Sequence, residues 1–117
     1  MKLTRLILVA VLVTISTSLF AQQAQQTDSI KVYGECGMCQ NRIQKALKLE
    51  GVSAATWDTD TKVLVVTYDP AKITNDDIQK KVASVGHDTE KYTATDEVYK
   101  KLPGCCHYER KKAGAGQ

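Results

Sequence analysis

The chain has 117 residues, with 16 Lys and Arg against 13 Asp and Glu, four Cys and two His. This length accommodates one small domain and excludes barrels, doubly wound dinucleotide-binding folds and large multi-domain enzymes. The net charge of +3 falls to +1 when Lys2 and Arg5 are set aside with a removable N-terminal segment. The chain has no basic face with interleaved aromatic residues, so nucleic-acid binding is not expected.

The N-terminal residues have the order that is typical of a secretory signal peptide. Two positive charges in the first five residues precede an apolar run over 6–13, and small residues follow as far as Ala21. We place the cleavage after Ala21, which makes 1–21 the signal peptide and 22–29 a flexible lead-in. A membrane anchor is the alternative, but a spanning helix needs about 20 apolar residues and this run is shorter. The mature protein is expected to be exported, periplasmic or secreted, without stable membrane insertion.

All four cysteines follow this segment: Cys36, Cys39, Cys105 and Cys106. An even number of cysteines in an exported chain suggests disulfides. The adjacent Cys105 and Cys106, however, can pair with each other only through a strained ring. The spacing of Cys36 and Cys39 is that of a redox or metal-binding pair. Structural disulfides are therefore the less favoured alternative.

The middle of the chain alternates strand and helix signals. Apolar residues two apart predict a half-buried strand over 29–33, and apolar residues at helical spacing after Cys39 predict an amphipathic helix. Runs of strand-forming residues over 52–58 and 63–68, separated by a polar turn, predict a hairpin.

A capping box at Thr74 and Asp77 predicts the start of a second helix, which Gly86 ends. A weak last strand is expected over 89–93. The resulting β-α-β-β-α-β order predicts an α+β ferredoxin-like sandwich, in which a four-stranded antiparallel sheet carries both helices on one face.

Three motifs occur in order around the amphipathic helix: Gly34-Glu35-Cys36-Gly37-Met38-Cys39, Tyr68-Asp69-Pro70 and Val85-Gly86-His87. Together they resemble the heavy-metal-associated domain family. This family includes copper chaperones, the N-terminal domains of metal-pumping ATPases and the periplasmic mercury-binding protein. The resemblance covers 30–93. Two features depart from the family's pattern: Gly34-Glu35-Cys36 is one residue shorter than Gly-Met-Thr-Cys and lacks its Met, and His87 stands where Tyr, Phe or Lys is common.

Cys36 and Cys39 are expected to lie where the first strand ends and the first helix begins. The partial positive charge of a helix N-terminus favours thiolates, and thiolates bind metal ions. Two sulfur ligands select soft ions, with Cu(I) first and Hg(II) or Zn(II) as alternatives, although Zn(II) prefers four N or S ligands. Met38 is expected to be a packing or surface residue rather than a third ligand. His87 lies in a loop at the same end of the fold, either as an additional ligand or as a surface residue that caps the second helix.

The segment 94–108 is expected to form a short C-terminal helix followed by a Cys-Cys-His extension, with a disordered tail over 109–117. The helix and the extended residues after it are long enough to return along a strand of about 20 Å to the metal end. Cys105 and Cys106 would then join the first pair in a three- or four-sulfur site, with His107 as a weaker candidate. A reversible disulfide across the two pairs is expected in the absence of metal. A separate surface thiol pair is the alternative.

The sequence therefore predicts an exported soft-metal-binding protein, a metallochaperone or scavenger that is not an enzyme. Because family members pass metal ions between facing Cys-x-x-Cys loops, the resemblance implies a metal-transporting membrane ATPase or efflux component as the partner. A thiol–disulfide redox protein that uses the same Cys-x-x-Cys pair is the alternative. The small size of the chain and the lack of a cis-proline candidate argue against that alternative.

Overall fold

The structure of the protein is a computed structural model, and it describes residues 2–3 and 24–110. Apart from residues 2–3, the predicted signal peptide over 1–21 lies outside the described residues, as do 111–117 of the predicted tail. Within the described ranges, no helix is both long and apolar enough to cross a membrane.

Three strands form one antiparallel sheet in the order β1-β3-β2, where β1 is Gln26–Lys31, β2 is Val52–Trp57 and β3 is Val63–Tyr68. Alternate residues of β3, such as Leu64 and Val66, are buried, so one face of the sheet is turned toward the core. The predicted hairpin of β2 and β3 is confirmed.

Strand β1 begins earlier than expected, inside the segment 22–29 that was predicted as a flexible lead-in. It pairs with β3 from Gln26, opposite Tyr68, onwards. The Tyr68 hydroxyl donates a hydrogen bond to the Asp28 carboxylate at 2.6 Å. Such cross-strand bonds hold the polar residues at the start of β1, which precede its hydrophobic periodicity, and this explains the difference.

Two helices follow in the expected order: α1 spans Gly37–Ala46 and α2 spans Asn75–Ser84. The predicted capping box of α2 is confirmed, since the Thr74 hydroxyl accepts from the Asp77 N–H and the Asp77 carboxylate accepts from the Thr74 N–H. The helix is followed by its C-cap residue Val85 and then by Gly86, whose φ of 108° few other residues adopt. The N–H groups of Gly86 and its successor donate to carbonyls of the last turn at 3.0 and 3.3 Å, which is a Schellman motif.

The sheet and both helices enclose one core, which contains the only tryptophan of the chain. Trp57 is fully buried at the end of β2, and its indole N–H donates to the Val32 carbonyl at 3.1 Å. Burial of each large apolar side chain contributes about 1.5–3 kcal/mol to folding. The core includes cysteines as well as aliphatic and aromatic residues, and its other members are Ile30, Val32, Cys39, Ile43, Leu47, Leu64, Val66, Tyr68, Ile78, Val82, Leu102, Cys106 and Tyr108.

The predicted fourth strand over 89–93 does not form within the described residues. A single antiparallel bridge joins Val32 to Thr89 instead. Beyond this bridge the chain turns, because the Thr89 N–H donates to the Tyr92 carbonyl at 2.8 Å and the Tyr92 N–H donates to Thr89 Oγ1 at 3.0 Å. These side-chain and backbone bonds compete with the sheet ladder. The fold is therefore an α+β sandwich whose antiparallel sheet has three strands.

After this turn the chain forms the predicted short helix, α3, over Asp96–Lys100. The Thr95 hydroxyl caps it by accepting from the Val98 N–H at 3.3 Å. A 3-10 turn over Gly104–Cys106 follows, and Leu102 packs against Gly86, where a Cβ atom would lie 2.8 Å from the leucine. The residue that follows the C-terminal helix thus packs against the glycine that follows α2.

Residues 103–110, which we call the C-terminal strap, are bound to the loop after α2. The Tyr108 hydroxyl donates to the Gly86 carbonyl at 2.7 Å and accepts from the Asp88 N–H at 2.8 Å. The Tyr108 side chain is 3 % exposed, so both bonds are shielded from water. The strap is therefore part of the folded domain.

Arg110 fixes the end of the strap. Its guanidinium forms two hydrogen bonds, of 2.9 and 3.2 Å, with the buried Asp88 carboxylate, and a third of 2.7 Å with Asp96. The sequence prediction of a disordered tail over 109–117 is wrong at this residue. The reason is a charge pair with Asp88, which is distant in the sequence and supplies a planar, two-bond partner for the guanidinium.

Candidate metal centre

The sulfur atoms of all four cysteines lie together at the start of α1. Cys36 is the N-cap residue of the helix and Cys39 lies in its first turn, while the 3-10 turn of the strap carries Cys105 and Cys106. The Cys36 Sγ atom lies 3.7 Å from those of Cys39 and Cys106 and 3.2 Å from that of Cys105. All four are free thiols. The structure therefore brings the two pairs together and does not separate the second pair as a surface feature.

Three of these sulfurs form a compact group. The Sγ atoms of Cys36, Cys39 and Cys106 all lie within 4.8 Å of one another. At a metal–sulfur distance of about 2.3 Å, ligand sulfurs are about 3.8 Å apart around a tetrahedral ion and about 4.0 Å apart around a trigonal one. The two distances of 3.7 Å from Cys36 are close to both values. The group can therefore bind one metal ion with small side-chain adjustments.

The four thiols differ in their affinity for protons. The hydrogen bond from the Cys105 thiol lowers the pKa of Cys36 to about 6, and the N-terminus of α1 acts in the same direction. Burial raises the pKa of Cys39 to about 11 and also raises the pKa of Cys106. The bond donated to Cys36 raises the pKa of Cys105. Cys36 is thus the thiol that ionises most readily, and the other thiols must release protons before they can bind a metal ion as thiolates.

Arg42 is a site residue that the sequence analysis did not identify. Its guanidinium Nη1 donates to the Cys106 Sγ at 3.3 Å. Arg42 follows Cys39 by three residues on α1 and therefore lies on the same side of the helix, a spacing that was readable from the sequence. A guanidinium beside the sulfurs offsets the negative charge of several thiolates.

Neither histidine belongs to this group of ligand atoms among the described residues. His87 is fully buried, which contradicts the alternative that placed it at the surface as a cap of the second helix. Its Nδ1 lies 2.9 Å from the Tyr33 carbonyl, which only accepts, so Nδ1 carries the proton; Nε2 has no partner among the described residues. The ring stacks on Tyr108, and burial lowers the pKa of His87. His107 is exposed and packs against the Tyr99 ring at 5.1 Å.

A Cys-x-x-Cys pair at a helix start, on an antiparallel α+β sandwich, defines a class of small metal-binding domain. Residues 35–88 match the family model described as the heavy-metal-associated domain. This part of the chain therefore belongs to the heavy-metal-associated domain family, as its motifs predicted. The strap that carries Cys105 and Cys106 lies beyond the matched residues.

The proteins to which the chain is similar include P-type ATPases and MerP. A copper-exporting P-type ATPase of Staphylococcus saprophyticus is 33 % identical over 67 residues, covering 56 % of this chain and 8 % of the ATPase. Oxidized MerP from Ralstonia metallidurans CH34 is 35 % identical with a TM-score of 0.54, covering 56 % of this chain and 94 % of that one. The water-soluble region of the P-type ATPase CopA from Bacillus subtilis is 32 % identical with a TM-score of 0.56, and the match covers 59 % of this chain and 47 % of that one. The chain thus spans a small part of the full-length ATPase and nearly all of MerP.

Proposed function

We propose that the protein is an exported metallochaperone or scavenger that binds a soft metal ion, Cu(I) in the first place, through Cys36, Cys39 and Cys106. The observation that carries the proposal is the convergence of these three sulfurs within 4.8 Å. Two come from the Cys-x-x-Cys pair of the family, and the third comes from the strap. The ion is cargo, and the protein acts on it by binding and release rather than by catalysis.

The ligand set supports Cu(I) over Zn(II). Thiolates are soft ligands that favour Cu(I), whereas structural Zn(II) sites take four N or S ligands. Cys105 lies outside the group of three, although its sulfur is 3.2 Å from that of Cys36. Hg(II) is also thiophilic and fits the same three sulfurs. The relatives that are named for copper support Cu(I) as the first candidate.

The burial of the ligands supports a holding role that ends in transfer. Cys39 and Cys106 are 0 % exposed and Cys36 is half-buried, so two of the three ligands are shielded from solvent and Cys36 is the accessible one. Release then proceeds by ligand exchange on the open side, with a metal-transporting membrane ATPase or efflux component as the recipient. The proposed export rests on the signal-like residues 1–21. The family match favours metal binding over the thiol–disulfide redox alternative.

Anaerobic metal competition on the reduced chain tests this function. Cu(I), Zn(II) and Hg(II) are each titrated against a chelator of known affinity, and the bound ions are counted by native mass spectrometry. We expect Cu(I) and Hg(II) to bind tightly and Zn(II) weakly. Tight Zn(II) binding without Cu(I) binding would overturn the choice of metal. Fractionation of the expressing cells, with N-terminal sequencing of the processed protein, tests export and the cleavage after Ala21.

A further inference from the structure

Two further sulfur atoms, those of Cys105 and Met38, lie on the exposed side of Cys36. The Cys105 Sγ is 3.2 Å from the Cys36 Sγ and 3.4 Å from the Met38 Sδ. Cys105 is exposed, and Met38 is 51 % exposed although it is a large apolar residue. The Cys36 sulfur therefore lies between two sulfur sets, one buried and one facing solvent.

We propose that Cys36, Cys105 and Met38 form a second soft-metal site, which shares the Cys36 thiolate with the inner site. This inference rests on the proposed function, because it adds a second ion to a centre that already binds one. A thiolate sulfur has several lone pairs and can bridge two metal ions. Thiolate and thioether sulfurs are both soft ligands, and this set therefore selects the same class of ion as the inner site.

The arrangement favours two ions over one ion with four ligands. The Cys105 Sγ lies 4.0 Å from the Cys106 Sγ, but it does not belong to the group whose members are all within 4.8 Å of one another. The sulfur from which it is too distant is that of Cys39. Its nearest sulfur neighbours are Cys36 and the Met38 thioether. Cys105 is therefore placed to bind an ion on the outer side of Cys36.

The charges are compatible with filling both sites. The fourth thiolate adds one negative charge to the cluster, and a second monovalent ion cancels it. The guanidinium of Arg42, 3.3 Å from the Cys106 Sγ, offsets part of the remainder. Because the outer ligands are exposed, we expect the outer ion to exchange more readily than the inner one and to be the ion that a partner removes or supplies.

Cu(I) titration of the reduced full chain tests the outer site, with native mass spectrometry for stoichiometry and chelator competition for each affinity. We expect two Cu(I) ions per chain, with X-ray absorption showing a metal–metal scattering path. Cys105→Ser should bind one ion, held by Cys36, Cys39 and Cys106. Met38→Leu keeps the size of the side chain, and it should retain both ions while the second affinity falls by about tenfold. His107→Ala changes an exposed residue near Cys105 and should leave both affinities unaltered.

The other outcomes separate the two proposals. If the unmodified chain binds one Cu(I) and Cys105→Ser has no effect, the outer site does not exist and the proposed function stands. If Cys105→Ser weakens the binding of a single ion, Cys105 is a fourth ligand of the inner site and the second site is overturned. If the unmodified chain binds no Cu(I), the proposed function fails and the outer site fails with it.

Discussion

Replacing Tyr108 with phenylalanine removes a hydroxyl group that satisfies two buried backbone groups at once. The Gly86 carbonyl loses its donor at 2.7 Å and the Asp88 N–H loses its acceptor at 2.8 Å. Each buried polar group left without a partner costs about 1–3 kcal/mol, so we expect the loss of two partners to lower the free energy of unfolding by about 2–6 kcal/mol. That is a large part of the stability of a small domain, which is about 5–15 kcal/mol.

Urea unfolding measures the loss. With a denaturant dependence of about 1–3 kcal/mol per M, the midpoint should fall by about 1–3 M. The same variant should loosen the strap and expose Cys106, which is 0 % exposed in the intact protein. Alkylation of the apo protein, mapped by peptide mass spectrometry, reports this change.

Tyr33→Phe is the matched control. Its ring packs 6.3 Å from the Tyr108 ring, but its hydroxyl forms no hydrogen bond within residues 24–110. We expect this variant to change the free energy of unfolding by less than about 0.5 kcal/mol. If Tyr108→Phe is no less stable than Tyr33→Phe and Cys106 stays unreactive, the two hydrogen bonds do not hold the strap and this reasoning is refuted.

Three further predictions concern the metal centre and its support. Cys36→Ser should lower the Cu(I) affinity by at least about a hundredfold in chelator competition and leave the urea midpoint of the apo protein unchanged. Cys39→Ser should lower both the Cu(I) affinity and the urea midpoint, because it places a hydroxyl group in the core. Arg42→Met should lower the Cu(I) affinity by about tenfold and Arg42→Lys by less, since lysine keeps the charge; equal losses would contradict a charge effect. Burial lowers the pKa of His87, so as the pH falls the unfolded chain takes up a proton at this residue before the folded chain does. The free energy of unfolding is therefore highest above the ordinary imidazole pKa of about 6.5, and it falls by up to about 1.4 kcal/mol per pH unit below that value. His87→Gln should flatten this part of the pH dependence of the urea midpoint, and an unchanged slope would assign it to other groups.

Local signals in the sequence predicted most of the fold. The capping box at Thr74 and Asp77, and the Gly86 that ends α2, act within one helical turn, so they are readable without any knowledge of the tertiary structure. The hairpin was predictable for the same reason. The predicted strand over 89–93 does not form because the side chain of Thr89 forms a hydrogen bond within its own turn. Strand propensity does not include the competition between such local bonds and the hydrogen bonds of a sheet.

The candidate site was predictable only in part. The spacing of Cys36 and Cys39 indicates a metal-binding pair by itself, and the reach of the chain allowed the strap to return. The position of the strap depends on contacts between distant residues, above all the pair of Arg110 with Asp88. The burial of His87 against Tyr108 has the same origin. Such contacts form only once the fold exists, so no local pattern encodes them.

The position of Trp57 gives the protein a built-in optical probe. Its ring lies directly under the backbone before the first cysteine, where a Cβ atom on Gly34 would be 2.9 Å from the indole Cη2 and 3.3 Å from the Cys39 Cβ. Since the chain has one tryptophan, its fluorescence comes from this single position. A shift of the loop or a heavy ion at the sulfurs alters that emission, and unfolding moves it to longer wavelength as the ring enters water. Metal loading and unfolding can thus be followed in the unlabelled protein from one signal.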